Sequence, residues 1–104
     1  NSYGGATSLP QRLEDAGASK PYIVTEFGPP GTWETATTAW GAPFELTSTE
    51  KAAAYARAYR MGILSNPGQA LGGYAFLWSD KVEGTEPWFG MFLRGARRDG
   101  SGER

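Results

Sequence analysis

Two short runs of mostly apolar residues divide the chain. Residues 21–26 read Pro-Tyr-Ile-Val-Thr-Glu, and residues 71–78 read Leu-Gly-Gly-Tyr-Ala-Phe-Leu-Trp. Gly28-Pro29-Pro30-Gly31 follows the first run, and Asn66-Pro67-Gly68 precedes the second. Short apolar runs bounded by turn residues are typical of buried β-strands. The pattern therefore predicts one strand over 21–26 and another over 71–78.

A short helix is predicted before the first strand, over residues 9–16. Ser8 and Gln11 have the spacing of a capping box, in which a side-chain oxygen accepts a hydrogen bond from a free backbone N–H of the first turn. Pro10 suits that turn because a proline there gives up no intrahelical hydrogen bond. Gly17 is a typical residue just past a helix end.

A second helix is predicted to begin at Thr47, which has capping-box spacing to Glu50. Apolar residues at helical spacing predict one buried face, made of Ala52, Tyr55, Ala56, Tyr59 and Ile63. Asn66-Pro67-Gly68 predicts its end. Residues 27–46 show neither the helical nor the strand period, so they are predicted to form a loop. A loop of that length in a compact domain is more often functional than idle.

The predicted order of helix, strand, helix and strand indicates an α/β fold, in which a helix crosses over between parallel strands. Two parallel strands do not make a closed fold, because a parallel sheet needs cover on both faces. We therefore expect the 104 residues to be part of a larger domain, with the rest of that domain needed for folding.

Composition excludes several kinds of function. Lys and Arg total 10 against 11 Asp and Glu, so no overall basic field attracts nucleic acid. The basic cluster Arg94, Arg97 and Arg98 lies in a Gly-rich stretch and is predicted to be a solvated loop. No apolar stretch approaches the roughly 20 residues of a membrane span. The absence of Cys and His excludes thiolate metal sites and His-assisted nucleophiles from this chain, leaving carboxylates, Tyr and Lys for acid–base chemistry.

Glu26 is the residue of the first strand that needs an explanation, since it puts a charge at the tip of an apolar run. The carboxyl ends of parallel strands open onto active sites in α/β proteins, so a carboxylate there is a candidate catalytic group. The alternative is a structural Glu that caps the following loop or pairs with an Arg.

Three segments together resemble a known enzyme family. Pro21-Tyr-Ile-Val-Thr-Glu26-Phe-Gly28 is similar to the seventh-strand nucleophile motif of retaining glycoside hydrolases that carry catalytic glutamates at the ends of strands four and seven. Gly73-Tyr-Ala-Phe-Leu-Trp78 is similar to the eighth strand with its terminal Trp, and Asn1-Ser-Tyr3-Gly-Gly5 looks like the end of the sixth strand. The fourth strand, which carries the acid/base Glu in that family, has no counterpart in the chain.

The resemblance implies that residues 1–104 are a fragment of one catalytic domain, a partial TIM (β/α)8 barrel covering about the end of strand six through strand eight. It implies hydrolysis of β-glycosidic bonds of an oligo- or polysaccharide by two carboxylates about 5–5.5 Å apart. Glu26 is then the nucleophile, Tyr3 is the hydrogen-bond donor that orients it, and the acid/base Glu lies upstream. No metal or cofactor is implied.

Aromatic residues supply the candidate substrate-binding surface. Trp33 and Trp40 lie on the 27–46 loop, Trp78 ends the second predicted strand, and Trp88 and Phe89, farther along the chain, are expected to wall the same cleft. The flat face of an indole suits the C–H groups of a sugar ring, and Trp78 is the stronger case because the end of a strand is expected to put it beside Glu26. The alternative for each Trp is hydrophobic cover over the barrel mouth, which is equally compatible with Trp40 and Trp88.

The other carboxylates expected on loops are Glu34, Glu45, Glu83 and Glu86. Each is predicted to be a solvated or sugar-binding residue rather than the acid, and Glu34, beside Trp33, would be the first candidate for the acid among them. Asp80 and Lys81 are predicted either to bind sugar hydroxyls or to pair with each other.

Three other interpretations stay open from the sequence. A non-catalytic carbohydrate-binding domain would use the same Trp residues but needs no carboxylate at a strand tip. A transglycosylase would share the barrel and pass the glycosyl group to another sugar. An α/β domain without any site is disfavoured by the long aromatic loop at 27–46.

Overall fold

The computed structural model describes residues 2–79 and 87–92. The elements are, in chain order, a 3₁₀ segment (Gly4–Ser8), helix α1 (Leu9–Asp15), strand β1 (Tyr22–Phe27), helix α2 (Ser48–Tyr59), a π-helical turn (Arg60–Leu64) and strand β2 (Ala70–Ala75). The predicted order of two helices and two strands is confirmed. The 3₁₀ segment before α1 was not predicted, and the last residues of the predicted second helix form the π-helical turn.

The two strands form a parallel sheet, and α2 lies in the crossover between them. The α/β prediction is confirmed at this level. The second strand is shorter than predicted, because it ends at Ala75 instead of continuing to residue 78. Beyond this point the chain pairs with a different segment: the N–H of Leu77 donates to the carbonyl of Phe89 (3.2 Å), and the N–H of Met91 donates to the carbonyl of Leu77 (2.8 Å).

The pairing of β1 with β2 shifts register between Val24 and Phe27. Side chains three positions apart on a regular strand face opposite sides. Here both Val24 and Phe27 are buried in the same core, at 3% and 5% exposure, because the irregularity intervenes. The shift therefore sets which side of the sheet each residue at the end of β1 faces.

The same irregular end of β1 has neighbours on both edges. The carbonyl of Phe27 accepts a hydrogen bond from the N–H of Phe76, just past β2, at 2.8 Å. The carbonyl of Glu26 accepts one from the N–H of Ser2, also at 2.8 Å. Carbonyls of adjacent strand residues point to opposite edges. Ser2 therefore lies along the edge of β1 that faces away from β2.

The core lies between the sheet and α2 and extends under the 3₁₀ segment. Its buried members are Ala6, Val24, Phe27, Tyr55, Ala58 and Ile63. The predicted buried face is correct for Tyr55 and Ile63 and wrong for Ala52, Ala56 and Tyr59, which are exposed. Ala58 is buried instead, because α2 packs against the 3₁₀ segment as well as against the sheet.

The two predicted capping boxes have different outcomes. At Thr47 the box is present, with the Glu50 N–H donating to the Thr47 hydroxyl and the Glu50 carboxylate accepting from the Thr47 N–H. At Ser8 it is absent, and the Ser8 hydroxyl donates to the carbonyl of Gly5. The 3₁₀ segment runs directly into α1, so the first turn of α1 does not begin at a free chain end. Gly17, with φ of 68°, follows the end of α1 as predicted.

Large apolar side chains of both strands remain exposed to solvent. The exposed fractions are 51% for Ile23, 71% for Leu71 and 68% for Tyr74. Strands of a parallel sheet are ordinarily buried on both faces. The exposure leaves these three side chains without the burial that such a sheet normally provides.

Expressed alone, the 104-residue chain is expected to show no cooperative thermal unfolding. The ordering of about a hundred residues costs on the order of 100 kcal/mol in conformational entropy, and the exposed strand residues contribute little burial to oppose it. Circular dichroism at 222 nm during heating, with binding of a hydrophobic dye at low temperature, measures this. A sharp unfolding transition in a monomer that does not bind the dye would contradict this expectation.

Candidate active site

Glu26 and Tyr3 meet at the carboxyl end of β1. The Tyr3 hydroxyl donates a hydrogen bond of 2.7 Å to Oε2 of Glu26, joining residues 23 positions apart. The backbone bond from Ser2 to the Glu26 carbonyl brings the two segments together just beside this contact. The contact expected from the sequence between Tyr3 and Glu26 is therefore present, and both residues are half-buried.

Three aromatic rings surround the ring of Tyr3. Trp33 and Phe76 contact it edge to face, with centroids 5.3 and 5.5 Å away, and Phe89 contacts it at 5.2 Å in a tilted arrangement. We call Tyr3, Trp33, Phe76 and Phe89 the aromatic cluster. Edge-to-face and tilted contacts at these distances are favourable and restrict ring orientation. The cluster therefore limits the directions in which the Tyr3 hydroxyl can point.

The ring of Trp33 packs against the backbone of Gly31, yet most of the side chain is exposed to solvent. Its ring lies over the backbone of Gly31, where an added Cβ would be 2.5 Å from a ring carbon, so the ring can take this position only above a glycine. The side chain is nevertheless 65% exposed. Trp33 thus presents aromatic surface to solvent while its ring contacts Tyr3, the residue that is hydrogen-bonded to Glu26.

Glu34 is on the same loop, as predicted, and contacts backbone rather than other side chains. Its Oε2 accepts hydrogen bonds from the N–H of Gly31 at 2.7 Å and from the N–H of Gly4 at 3.4 Å. These bonds connect the loop after β1 to the start of the 3₁₀ segment, next to Tyr3. Glu34 therefore helps to hold Trp33 and Tyr3 in the same region.

The remaining predicted Trp residues fall into two kinds. Trp88 is buried, with 8% exposure, and its indole N–H donates to the carbonyl of Pro30 at 2.9 Å, which makes it part of the packing under the loop. Trp78 is 71% exposed, lies three positions beyond the end of β2 rather than within the strand, and contacts the ring of Phe92 at 4.6 Å. Trp40 is 83% exposed.

Trp40 is held at the tip of a small hairpin within the 27–46 loop. Thr37 and Pro43 form an antiparallel bridge, and the N–H of Gly41 donates to the carbonyl of Thr38 at 3.0 Å to close the turn. The predicted loop therefore contains local order that presents Trp40 to solvent.

Tyr55 of α2 contacts the backbone of two residues of the aromatic cluster. Its hydroxyl is within hydrogen-bonding reach of the carbonyls of Phe76 and Phe89, at 2.6 Å from the latter. Burial raises the pKa of Tyr55 to about 12, so the hydroxyl keeps its proton and stays a donor at neutral pH. The sequence predicted Tyr55 only as a core residue, because helical spacing reports burial and carries no information about a polar partner.

Phe76 is the member of the aromatic cluster that sequence reasoning missed. It lies within an apolar run that was predicted to be strand, and nothing in the sequence marks it as a neighbour of Tyr3. Phe89 was expected to line the cleft with Trp88, and its ring does contact Tyr3.

Several candidate residues lie outside the described part of the chain. They are Asp80, Lys81, Glu83, Glu86, Arg94, Arg97 and Arg98. Among residues 2–79 and 87–92, no group of His, Cys, Asp and Glu could hold a metal ion. Within the same residues, no helix is long and apolar enough to cross a membrane. Comparison of the sequence with protein-family models and with curated proteins finds no match.

Gly28, the last residue of the Glu26-Phe27-Gly28 motif, is expected to tolerate no side chain. A Cβ there would lie 2.7 Å from the carbonyl oxygen of Phe76 and 3.2 Å from the ring of Tyr55. Because the first of these atoms belongs to the backbone, Gly28→Ala should destabilise the complete protein by about 1–3 kcal/mol. Gly68→Ala, whose Cβ meets nothing within 4 Å, is the matched control. Denaturant titration of both variants measures the difference, and equal midpoints would refute the close approach at Gly28.

Proposed function

We propose that this chain belongs to the catalytic domain of a retaining glycoside hydrolase acting on β-glycosidic bonds, with Glu26 as the nucleophile. The observation that carries the proposal is the hydrogen bond from Tyr3 to Oε2 of Glu26 at the carboxyl end of a parallel strand. A carboxylate that attacks an anomeric carbon must be ionised and held in one orientation. A hydroxyl donated to one carboxylate oxygen favours the ionised form and restricts the orientation of the side chain.

The arrangement of the neighbouring segments supports a barrel. Ser2, β1 and β2 lie side by side in chain order, since Ser2 borders the edge of β1 opposite to β2. Consecutive strands of a TIM barrel are neighbours in the same way, and their carboxyl ends carry the catalytic residues. Under this proposal the three segments correspond to strands six, seven and eight of a partial (β/α)8 barrel. The exposed side chains of Ile23 and Leu71 are then covered by the remainder of the domain.

The exposed aromatic side chains support a carbohydrate substrate. Trp33 is the strongest candidate platform, because its ring contacts that of Tyr3 while most of its surface is open to solvent. Trp78 and Trp40 are more exposed still and add open aromatic surface. A sugar ring can place its C–H groups on such a face while its hydroxyls stay hydrated, so these residues suit an oligo- or polysaccharide. Trp88 contributes packing rather than an open face.

The proposal requires a second carboxylate about 5–5.5 Å from Glu26 to protonate the leaving oxygen. We assign that role to a residue upstream of this chain. Glu34 and Glu45, the described loop carboxylates, accept hydrogen bonds from backbone amides and from Lys51 respectively. Neither is supported on a strand, which a catalytic group needs for precise placement.

A carbohydrate-binding domain without catalysis is the second candidate function. The observation that favours it is the exposure of Trp40 at the tip of an ordered hairpin. Sugar binding without catalysis would be enough to explain an exposed Trp at such a position. The hydrogen-bonded pair of Tyr3 and Glu26 at the end of a parallel strand favours the enzyme, since binding alone does not require a carboxylate at that position. A transglycosylase would use the same residues and differ only in the acceptor.

Trapping experiments on the complete protein test the role of Glu26. A 2-fluoro sugar with a good leaving group should form a stable ester on this side chain, because the fluorine slows the oxocarbenium-like step that hydrolyses the intermediate. Glu26→Gln should abolish turnover while leaving sugar binding largely intact, and Glu26→Gly should regain turnover with azide, giving a glycosyl azide of inverted configuration.

Glu45→Gln is the control for the loss of a carboxylate, since Glu45 pairs with Lys51 at the surface. It should retain turnover. Normal turnover by Glu26→Gln, or a trapped ester mapped to another carboxylate, would remove Glu26 from the mechanism. Sugar binding without any turnover by the wild-type protein would favour the binding domain.

Three Trp variants of the complete protein separate binding from packing. Trp78→Ala should lower kcat/KM through both ground-state and transition-state contacts, whereas Trp40→Ala should mainly raise KM, as expected for a contact that is the same in both states. Trp88→Ala should instead lower thermal stability, by about 3–5 kcal/mol, because Trp88 is buried. Steady-state kinetics with an oligosaccharide and thermal unfolding measure the two effects. Negligible kinetic effects of both Trp78→Ala and Trp40→Ala would favour hydrophobic cover.

A further inference from the structure

The segment 87–92 returns to the end of β2 and is fastened there by backbone hydrogen bonds. The carbonyl of Phe89 accepts from the N–H of Leu77, and the N–H groups of Met91 and Phe92 donate to the carbonyls of Leu77 and Trp78. The Trp88 indole adds a bond to the loop after β1. Phe89 therefore has a defined backbone position although it lies far from β1 in sequence.

Tyr55 is the side chain that connects this segment to helix α2. Its hydroxyl lies between the carbonyls of Phe89 and Phe76, and both of these residues place their rings against Tyr3. The rings of Phe76 and Phe89 also contact each other, with centroids 5.4 Å apart. The single proton of the Tyr55 hydroxyl is thus shared between the backbone carbonyls of two of the three residues that surround the Tyr3 ring.

We propose that Tyr55 is a positioning residue for the reaction at Glu26. By holding Phe76 and Phe89 together through their carbonyls, it fixes the aromatic cluster around Tyr3 and so sets the direction of the hydrogen bond from Tyr3 to Glu26. Tyr55 does not touch the substrate or Glu26 in this scheme. The inference rests on the proposed function, because it gives Tyr55 a role only if the orientation of Glu26 matters for turnover.

Tyr22 provides a matched comparison within the same chain. Its hydroxyl also donates to a backbone carbonyl, that of Gly62, at 2.7 Å. Tyr22 begins β1, however, whereas Glu26 is near the end of that strand, and its acceptor lies in the π-helical turn. Removal of either hydroxyl deletes one tyrosine-to-carbonyl bond, but only the bond of Tyr55 leads to the aromatic cluster.

The test compares Tyr55→Phe with Tyr22→Phe in the complete protein. Tyr55→Phe should lower kcat by about 10- to 100-fold, because a small displacement of a catalytic group is costly, with little change in KM. Tyr22→Phe should leave kcat within about twofold of wild type. It should lower the thermal midpoint about as much as Tyr55→Phe does, because each variant loses a tyrosine-to-carbonyl hydrogen bond. Equal kcat values for the two variants would overturn the proposal.

A double-mutant cycle with Tyr3→Phe shows whether Tyr55 acts through Tyr3. If it does, adding Tyr55→Phe to Tyr3→Phe should lower kcat by less than about twofold, since the hydrogen bond to Glu26 is already gone. Full additivity of the two effects on kcat would overturn the proposal. Phe89→Leu keeps the carbonyl but removes the ring, so it should reproduce the kcat loss of Tyr55→Phe. It replaces Tyr55→Phe in the test if Tyr55→Phe folds poorly.

These outcomes are separable from a failure of the proposed function. If Glu26→Gln turns over normally, Glu26 is not the nucleophile and the positioning role of Tyr55 falls with it. If Glu26→Gln is inactive and traps no ester while Tyr55→Phe matches Tyr22→Phe, the assignment of Glu26 stands and only the role of Tyr55 is lost.

Discussion

The change of register between Val24 and Phe27 decides how the end of β1 can be used. It turns Phe27 into the core, where its ring contacts Tyr55 and Tyr59 of α2, and directs the carbonyl of Glu26 toward Ser2 on the far edge. In a regular strand Val24 and Phe27 would face opposite sides, and one of them would lose its burial. Irregularities of this kind are common next to active sites because they re-aim a side chain. The contact of Glu26 with Tyr3 depends on this local geometry.

A half-buried carboxylate is stable only where polar groups satisfy it, and the chain provides one such group from a segment 23 residues earlier. The phenol is in turn fixed by packing, because Trp33, Phe76 and Phe89 contact its ring from three directions. Two glycines make that packing possible. Gly31 leaves room for the Trp33 ring over its backbone, and Gly28 lets the Phe76 carbonyl and the Tyr55 ring come close to the backbone after β1. The glycines around Glu26 therefore belong to the site as much as to the turn that follows the strand.

The elements were predictable from local sequence because each has a local cause. The capping box at Thr47, the stop near Gly17 and the apolar run that became β1 depend on neighbouring residues alone. The end of β2 at Ala75 was not predictable, since it is set by pairing of Leu77 with residues that follow later in the chain. The buried face of α2 was predicted wrongly at Ala52, Ala56 and Tyr59 because the 3₁₀ segment, which has no periodic signal, packs against that helix. The contact of Tyr3 with Glu26 was expected only through the resemblance to glycoside hydrolases, as no spacing rule joins the two residues.

The Trp residues differ in whether they are buried in packing or exposed to solvent, and this difference bears on the choice between an enzyme and a binding domain. Trp88 uses its indole N–H and its whole surface for packing, whereas Trp40 and Trp78 leave most of their surface to solvent. Open Trp faces alone are compatible with either function. Trp33 differs from both groups, because the same ring that is open to solvent also contacts the donor to Glu26. A ligand that covered Trp33 would exclude water from the neighbourhood of the hydrogen bond between Tyr3 and Glu26 and strengthen it. A catalyst requires such coupling between the binding surface and an oriented carboxylate, whereas a domain that only binds does not, and this favours the proposed enzyme.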